Sequence, residues 1–175
     1  GEYYVPLATT EGVLVSSFHR GARIISKAGG ATVEITRRSM HVSPGFKMNT
    51  AEHTKLSLAW IRSNFSFIKS EAEKTTRHGK LLEVVPKVVG NYLFLKMVYD
   101  TKDAMGMNMI TIASDHAAKA IARECRIATF YPRSNYSSDK KSSMHNYIEG
   151  YGRSVRAEVK ISPDLIRYFG TDPNQ

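Results

Sequence analysis

The chain has 175 residues, of which 42% are apolar and 23% charged, with a formal net charge of +9. That length suits one domain, or one domain with a smaller insert, and it can bury a sizeable core. The sequence excludes an intrachain disulfide, because Cys125 is its only cysteine. It also contains no apolar run near the ~18 residues that cross a bilayer, and no block of five or more Lys or Arg of the usual nucleic-acid kind.

The chain opens at Gly1 and runs at once into apolar residues, so we expect a fragment that starts inside structure. Residues 3–8 read as a short strand. Residues 11–28 read as a helix, with Leu14, Phe18, Ala22 and Ile25 on one face and Gly29-Gly30 ending it. Residues 31–36 alternate as a strand, and a loop with Pro44 and Gly45 follows. A short strand at 46–48 then leads into a helix at 51–69, with Leu56, Ala59, Trp60, Ser63 and Phe67 along its apolar face. Runs 80–89 and 92–99 form a hairpin at Gly90-Asn91, with Pro86 placing the first at an edge or a bulge. A helix at 107–123 turns Ile110, Ala113, Ala117 and Ile121 to one side, and a strand covers 125–131, with Cys125 as a small buried residue. This order is β-α-β-β-α-β, the split arrangement of ferredoxin-like domains. Beyond it come a polar loop at 132–143, a short helix at 143–148, a strand at 154–161 and a last helix capped by Ser162-Pro163.

Three segments could carry chemistry. The first, Asp103-Ala104-Met105-Gly106-Met107-Asn108-Met109, stands just before a helix, where free N–H groups and the positive dipole end suit phosphate. Capping with methionine as filler explains the same residues. The second, Thr9-Thr10-Glu11-Gly12, puts a carboxyl at a strand-to-helix turn, either as a cap or as an acid of raised pKa. The third, Asn135-Tyr136-Ser137-Ser138-Asp139-Lys140-Lys141, is either a solvent loop or a Lys held by Asp139 and aimed at a developing oxyanion. The six histidines show no zinc-ligand spacing, so no metal is expected. No G-x-G-x-x-G turn or P-loop is present.

These three segments, in this order, resemble the motifs of 3-hydroxy-3-methylglutaryl-coenzyme A reductases. Val5 to Gly12 is similar to the substrate-side motif, and Asp103 to Met109 (DAMGMNM) to the cofactor motif in its class I form. Asn135 to Lys141, followed by Ile148-Glu149-Gly150, is similar to the third. The resemblance implies reduction of a thioester to an alcohol by two hydrides from NADPH, giving mevalonate and free coenzyme A. It implies Glu11 as the protonated carboxyl at the reacting oxygen and Lys140 as the oxyanion stabiliser. Asp139 and Lys141 would orient Lys140 and hold substrate, with Asn135 in the same loop. Asp103, Ala104, Met105, Gly106, Met107, Asn108 and Met109 would cradle the cofactor. Thr76-Arg77-His78 resembles the family's Ser-Arg-Phe stretch, which makes Arg77 the candidate for the cofactor phosphate. Ser17 and Arg20 match positions facing substrate and coenzyme A.

The implied architecture is α+β: a ferredoxin-like NADPH-binding domain at 45–131, set between parts of a larger α/β substrate domain at 1–44 and 132–175. The implied state is a cytoplasmic or cytosol-facing homodimer, with no nucleic-acid partner and no membrane segment in this chain. The sequence departs from the family at Val42, where a substrate-binding Arg is usual, and at Arg133 (usually Ser), His19 (Asn), Lys102 (Gly) and Ser142 (Pro). The family's later catalytic Asp and general-acid His lie downstream of residue 175. The expectation is therefore a chain that binds cofactor without turning over alone. Two other readings differ in class: a complete minimal enzyme with His145 or His19 as acid, and a basic module stacking RNA bases on Tyr92, Phe94, Tyr99 and Phe130.

Overall fold

Leu93, Leu95, Met97 and Tyr99 alternate along one strand, and all four are fully buried. That strand, β4 (Tyr92–Asp100), is the centre of a six-stranded sheet in the computed structural model, which describes residues 4–170. β3 (Lys80–Val89) pairs antiparallel along one edge of β4, with a bulge between Leu81 and Glu83. Along the other edge lie β1 (Thr32–Val42) and then β2 (Gly45–Lys47), so that Val42 faces Met97 and Gly45 faces Phe94. β5 (Thr129–Tyr131) pairs with β2, and β6 (Gly152–Glu158) lies beside β1.

The described chain falls into two compact units. One is residues 36–154, and the other joins 4–35 to 155–170. The first unit holds the core. Its strand residues meet Ile61 of α2 (Ala51–Ser63), Ile68 and Ala72 of α3 (Phe65–Glu73), and Ile110, Ala113, Ala117 and Ile121 of α4 (Met107–Glu124). α4 packs against α3 as well as against the sheet. Tyr99, inside this core, hydrogen-bonds the Ser114 hydroxyl at 2.9 Å, and burial pushes its phenol pKa up. It is unavailable for stacking on a base. α5 (Met144–Glu149) is capped by Ser143, whose hydroxyl accepts from the Asn146 N–H at 3.2 Å.

In the second unit, α1 (Gly12–Lys27) buries none of its residues, and Val13, Leu14 and Phe18 lie open. α6 (Pro163–Tyr168) begins as read, with the Ser162 hydroxyl accepting from the Leu165 N–H. Lys27 sits 4.6 Å from the centre of the Tyr168 ring.

Four expectations need correction. Residues 4–8 form no strand, and Pro6 among them has no N–H to give a ladder; residue 3 lies outside the described residues. The helix at 51–69 is two helices, because Asn64 leaves the helical region at φ −117°, ψ 31°. Across the break the inward face keeps helical spacing, with Ser57, Ile61, Ile68 and Ala72 buried while Leu56 is exposed. The last strand of the unit starts at Thr129, because Arg126 takes a left-handed conformation (φ 53°) and the Ile127 N–H returns to the Ala122 carbonyl at 2.8 Å. That closes α4 with a Schellman-type turn and delays the strand. Finally, β1 does not end at residue 36 but runs to Val42. Among the described residues, no helix is long and apolar enough to cross a membrane.

Candidate functional site

Where β4 ends, the chain must reverse into α4, and Thr101 organises the reversal. The buried Thr101 hydroxyl donates to the Ala104 carbonyl at 2.7 Å, and the Ala104 N–H returns to the Thr101 carbonyl at 3.3 Å. Gly106 then enters the helix with φ +73°, and a Cβ there would stand 2.6 Å from Thr101 Cγ2. Only glycine fits. The N-cap is glycine, with no side chain to cap α4, so among the described residues the first-turn N–H groups of Met107, Asn108 and Met109 have no side-chain partner at the positive end of an 18-residue helix. A cavity of about 260 Å³ opens here, lined by Met40, residues 100–105, Gly152 and Arg153.

Two other segments reach this loop. The Thr76 hydroxyl donates to Met109 Sδ at 2.9 Å and accepts from the Gly79 N–H at 3.0 Å, which ties residues 76–79 to the start of α4. Arg77 and His78 beside it are exposed, as are Asp103, Ala104, Met105 and Asn108. Arg153 Nη2 donates to the Lys102 carbonyl at 2.7 Å and to Asp103 Oδ1 at 3.3 Å.

The 133–141 loop hangs from Ser43. The Ser134 N–H and hydroxyl both donate to the Ser43 carbonyl, at 3.0 and 2.7 Å, and the Ser43 N–H donates to the Ser137 hydroxyl at 2.9 Å. Asp139 has a side chain only 1% exposed and is paired with Arg133. Lys141 Nζ donates to the Asn135 carbonyl at 2.6 Å, while Lys140 stands exposed. Arg133, Asn135, Asp139, Lys140 and Lys141 line one cavity of about 320 Å³. Three cations around one carboxylate favour an anionic group there.

Behind the loop lies a buried polar cluster. Lys96 on β4 is buried and paired with Glu149 of α5, whose carboxyl it holds below the usual range and whose backbone carbonyl accepts from Arg37. His41 Nε2 lies 3.3 Å from the Ser138 hydroxyl, which in turn donates to Asn146 Oδ1. Burial first, and the Lys96 charge second, lower the His41 pKa to about 4. The Tyr151 hydroxyl donates to the His41 carbonyl at 3.4 Å, and burial raises its pKa. The cluster therefore fixes Ser138, one residue before Asp139 and two before Lys140.

In the other unit, Glu11 sits at the N-cap position of α1, but its side chain caps nothing; its own N–H bonds the Thr9 hydroxyl at 3.1 Å. Ser17 and Arg20 follow on α1, both exposed.

The family model for hydroxymethylglutaryl-coenzyme A reductase matches residues 1–172. The chain belongs to that family. It is 44% identical over 166 residues to the 3-hydroxy-3-methylglutaryl-coenzyme A reductase of Haloferax volcanii, covering 95% of this chain and 41% of that protein. It is 46% identical over 175 residues to the reductase of Methanocaldococcus jannaschii, covering 97% and 43%. The chain thus spans about two fifths of the length of these curated relatives. In fold it is similar to the class II reductase of Streptococcus pneumoniae solved with NADPH in open conformations, with a TM-score of 0.70 at 22% identity, over 97% of this chain and 44% of that one.

Within the family, the departures at Val42 and Lys102 acquire a structural meaning. Val42 is fully buried opposite Met97, so that position offers no cation to a ligand. Lys102 occupies a left-handed conformation, φ 56°, which glycine adopts at no steric cost. Sequence reasoning passed over Lys96 and Arg153. A lysine interrupting the apolar run Leu93-Phe94-Leu95-Lys96-Met97-Val98 was the signal for the first. Nothing local marks Arg153, because its partners are about fifty residues away.

Proposed function

We propose that this chain is the cofactor-binding and lysine-loop portion of a reductase that converts 3-hydroxy-3-methylglutaryl-coenzyme A to mevalonate with NADPH. The start of α4 carries this reading. Its left-handed Gly106 and its first-turn N–H groups, free of any side-chain cap, suit the phosphate oxygens of a dinucleotide. Bound NADPH would supply hydride. Asp103 through Met109 and Thr76 would cradle it, with Arg77 and His78 exposed at its edge. Lys140 would stabilise the oxyanion at the thioester carbonyl, and Asp139, Lys141 and Asn135 would set its position and the substrate's. Glu11, with Ser17 and Arg20 on the same helix, would supply the acid and the coenzyme A contacts.

We also read residues 45–131 as a ferredoxin-like domain between parts of a larger substrate domain, which the strand order β5-β2-β4-β3 and its antiparallel pairing support. A homodimer in the cytosol completes the proposal. The open apolar residues of α1 support a covered surface in the assembled protein, and the lone thiol supports a reducing compartment.

Calorimetric titration of the chain with NADPH and with NADH is the test. Micromolar binding of NADPH is expected. Arg77→Ala should weaken NADPH about tenfold and NADH little, as loss of one charged phosphate contact implies. Equal weakening of both would refute the phosphate assignment, and absence of NADPH binding would refute the cofactor reading.

A further inference from the structure

The 101–106 loop turns on a residue in the wrong conformation for its type. Lys102 has φ 56°, a region that a residue with a Cβ disfavours by about tenfold. Both of its backbone groups are held. Its N–H donates to Asp100 Oδ1 at 2.8 Å, and its carbonyl accepts from Arg153 Nη2 at 2.7 Å. Asp100 belongs to the strand that leads into the loop, but Arg153 comes from β6, some fifty residues away. Arg153 also reaches the fully exposed Asp103 carboxylate, so one guanidinium fixes two consecutive residues. If Lys102 relaxed to the ordinary right-handed region, its carbonyl would swing away and carry Asp103 with it. The residues from Thr101 to Met105 line the cavity beside α4, so its wall would change with them.

We propose that Arg153 is a positioning residue. By holding the Lys102 carbonyl, it keeps the loop in the left-handed form that shapes the cavity before ligand arrives. The proposal rests on reading that cavity as part of the NADPH site. Without Arg153, only a minor fraction of molecules would hold the competent loop, and apparent affinity falls by that fraction. Glycine at position 102 would hold the same conformation with no Cβ penalty, and Arg153 would matter less.

The test is a double-mutant cycle with two readouts. NADPH affinity is measured for the wild type, R153A, K102G and the double variant. Amide hydrogen exchange of Lys102 and Ala104 is measured by NMR in the ligand-free wild type and R153A. Removing Arg153 should weaken NADPH about tenfold when residue 102 is Lys and about threefold or less when it is Gly. Exchange at Lys102 and Ala104 should quicken in R153A before any ligand is added. An equal loss in both backgrounds would mean that Arg153 contacts the cofactor directly and overturns the proposal. No loss, or unchanged exchange, overturns it as well. Should the wild type bind no NADPH, the cofactor reading fails, and the ligand-free exchange alone decides whether Arg153 positions the loop.

Discussion

Gly106 and His41 are single residues whose surroundings leave little choice. At Gly106 the positive φ and the contact with Thr101 act together, so Gly106→Ala should cost ~3 kcal/mol, from left-handed strain plus overpacking. It should also abolish NADPH binding, since the loop must shift to admit the methyl. Urea unfolding and titration of the variant check both, and a variant that binds normally would show that the helix entry is not the cofactor contact. His41 is held neutral by burial and by Lys96, with His145, Glu149 and Arg37 also facing it. Its pKa is depressed to about 4 in the folded chain, against about 6.5 unfolded. Between these values the unfolded state binds the extra proton. Stability should therefore fall as pH drops from 6.5 to 4, by up to ~1.4 kcal/mol per pH unit from this group, and be independent of it above that window. Glu149, depressed by Lys96, adds a loss in the same direction at lower pH. Urea midpoints against pH should show the slope, and His41→Gln should flatten its upper part.

Elements were legible where one periodicity ran uninterrupted. The α4 face of Ile110, Ala113, Ala117 and Ile121 could be read from spacing alone, and all four residues are buried. The α2–α3 region is two helices because Asn64 leaves the helical region, and the buried face on either side of it keeps one period, so spacing alone does not reveal the break. The strand at 129–131 was overextended for a similar reason, since nothing in the letters of Arg126 announces a left-handed residue. The candidate site divides in the same way. The Asp103–Met109 and Asn135–Lys141 segments stand out as contiguous residues, whereas the Arg153 contact on Lys102 and the Lys96–Glu149 pair join residues far apart in sequence. Arg126 also yields a prediction about α4. Its helix ends with a Schellman-type turn built on a side chain that disfavours the conformation, so Arg126→Gly should raise stability by ~1 kcal/mol. Thermal unfolding would register this as a higher Tm. A lowered Tm would mean that the arginine side chain contributes more than the strain costs.

At the scale of the whole molecule, burial is distributed unevenly. Among the described residues, every buried apolar side chain falls between Met40 and Ile127, inside the unit of residues 36–154. The other unit has an amphipathic α1, of which Val13, Leu14, Val15, Phe18 and Ile25 remain exposed. Cooperative stability follows buried apolar contact, so the two units should not share one opening free energy. Amides of β4 and the interior of α4 should exchange only through global unfolding, with protection above ~10⁴, as expected for a domain of ordinary stability. Amides of α1 have helical hydrogen bonds but no core behind them, and a 16-residue helix is marginal by itself, so their protection should stay below ~10². Residue-resolved hydrogen exchange on the chain at low concentration measures both. Protection of α1 equal to that of β4 would mean that its apolar face is covered in solution, and a rise in that protection with concentration would identify a second copy of the chain as the cover.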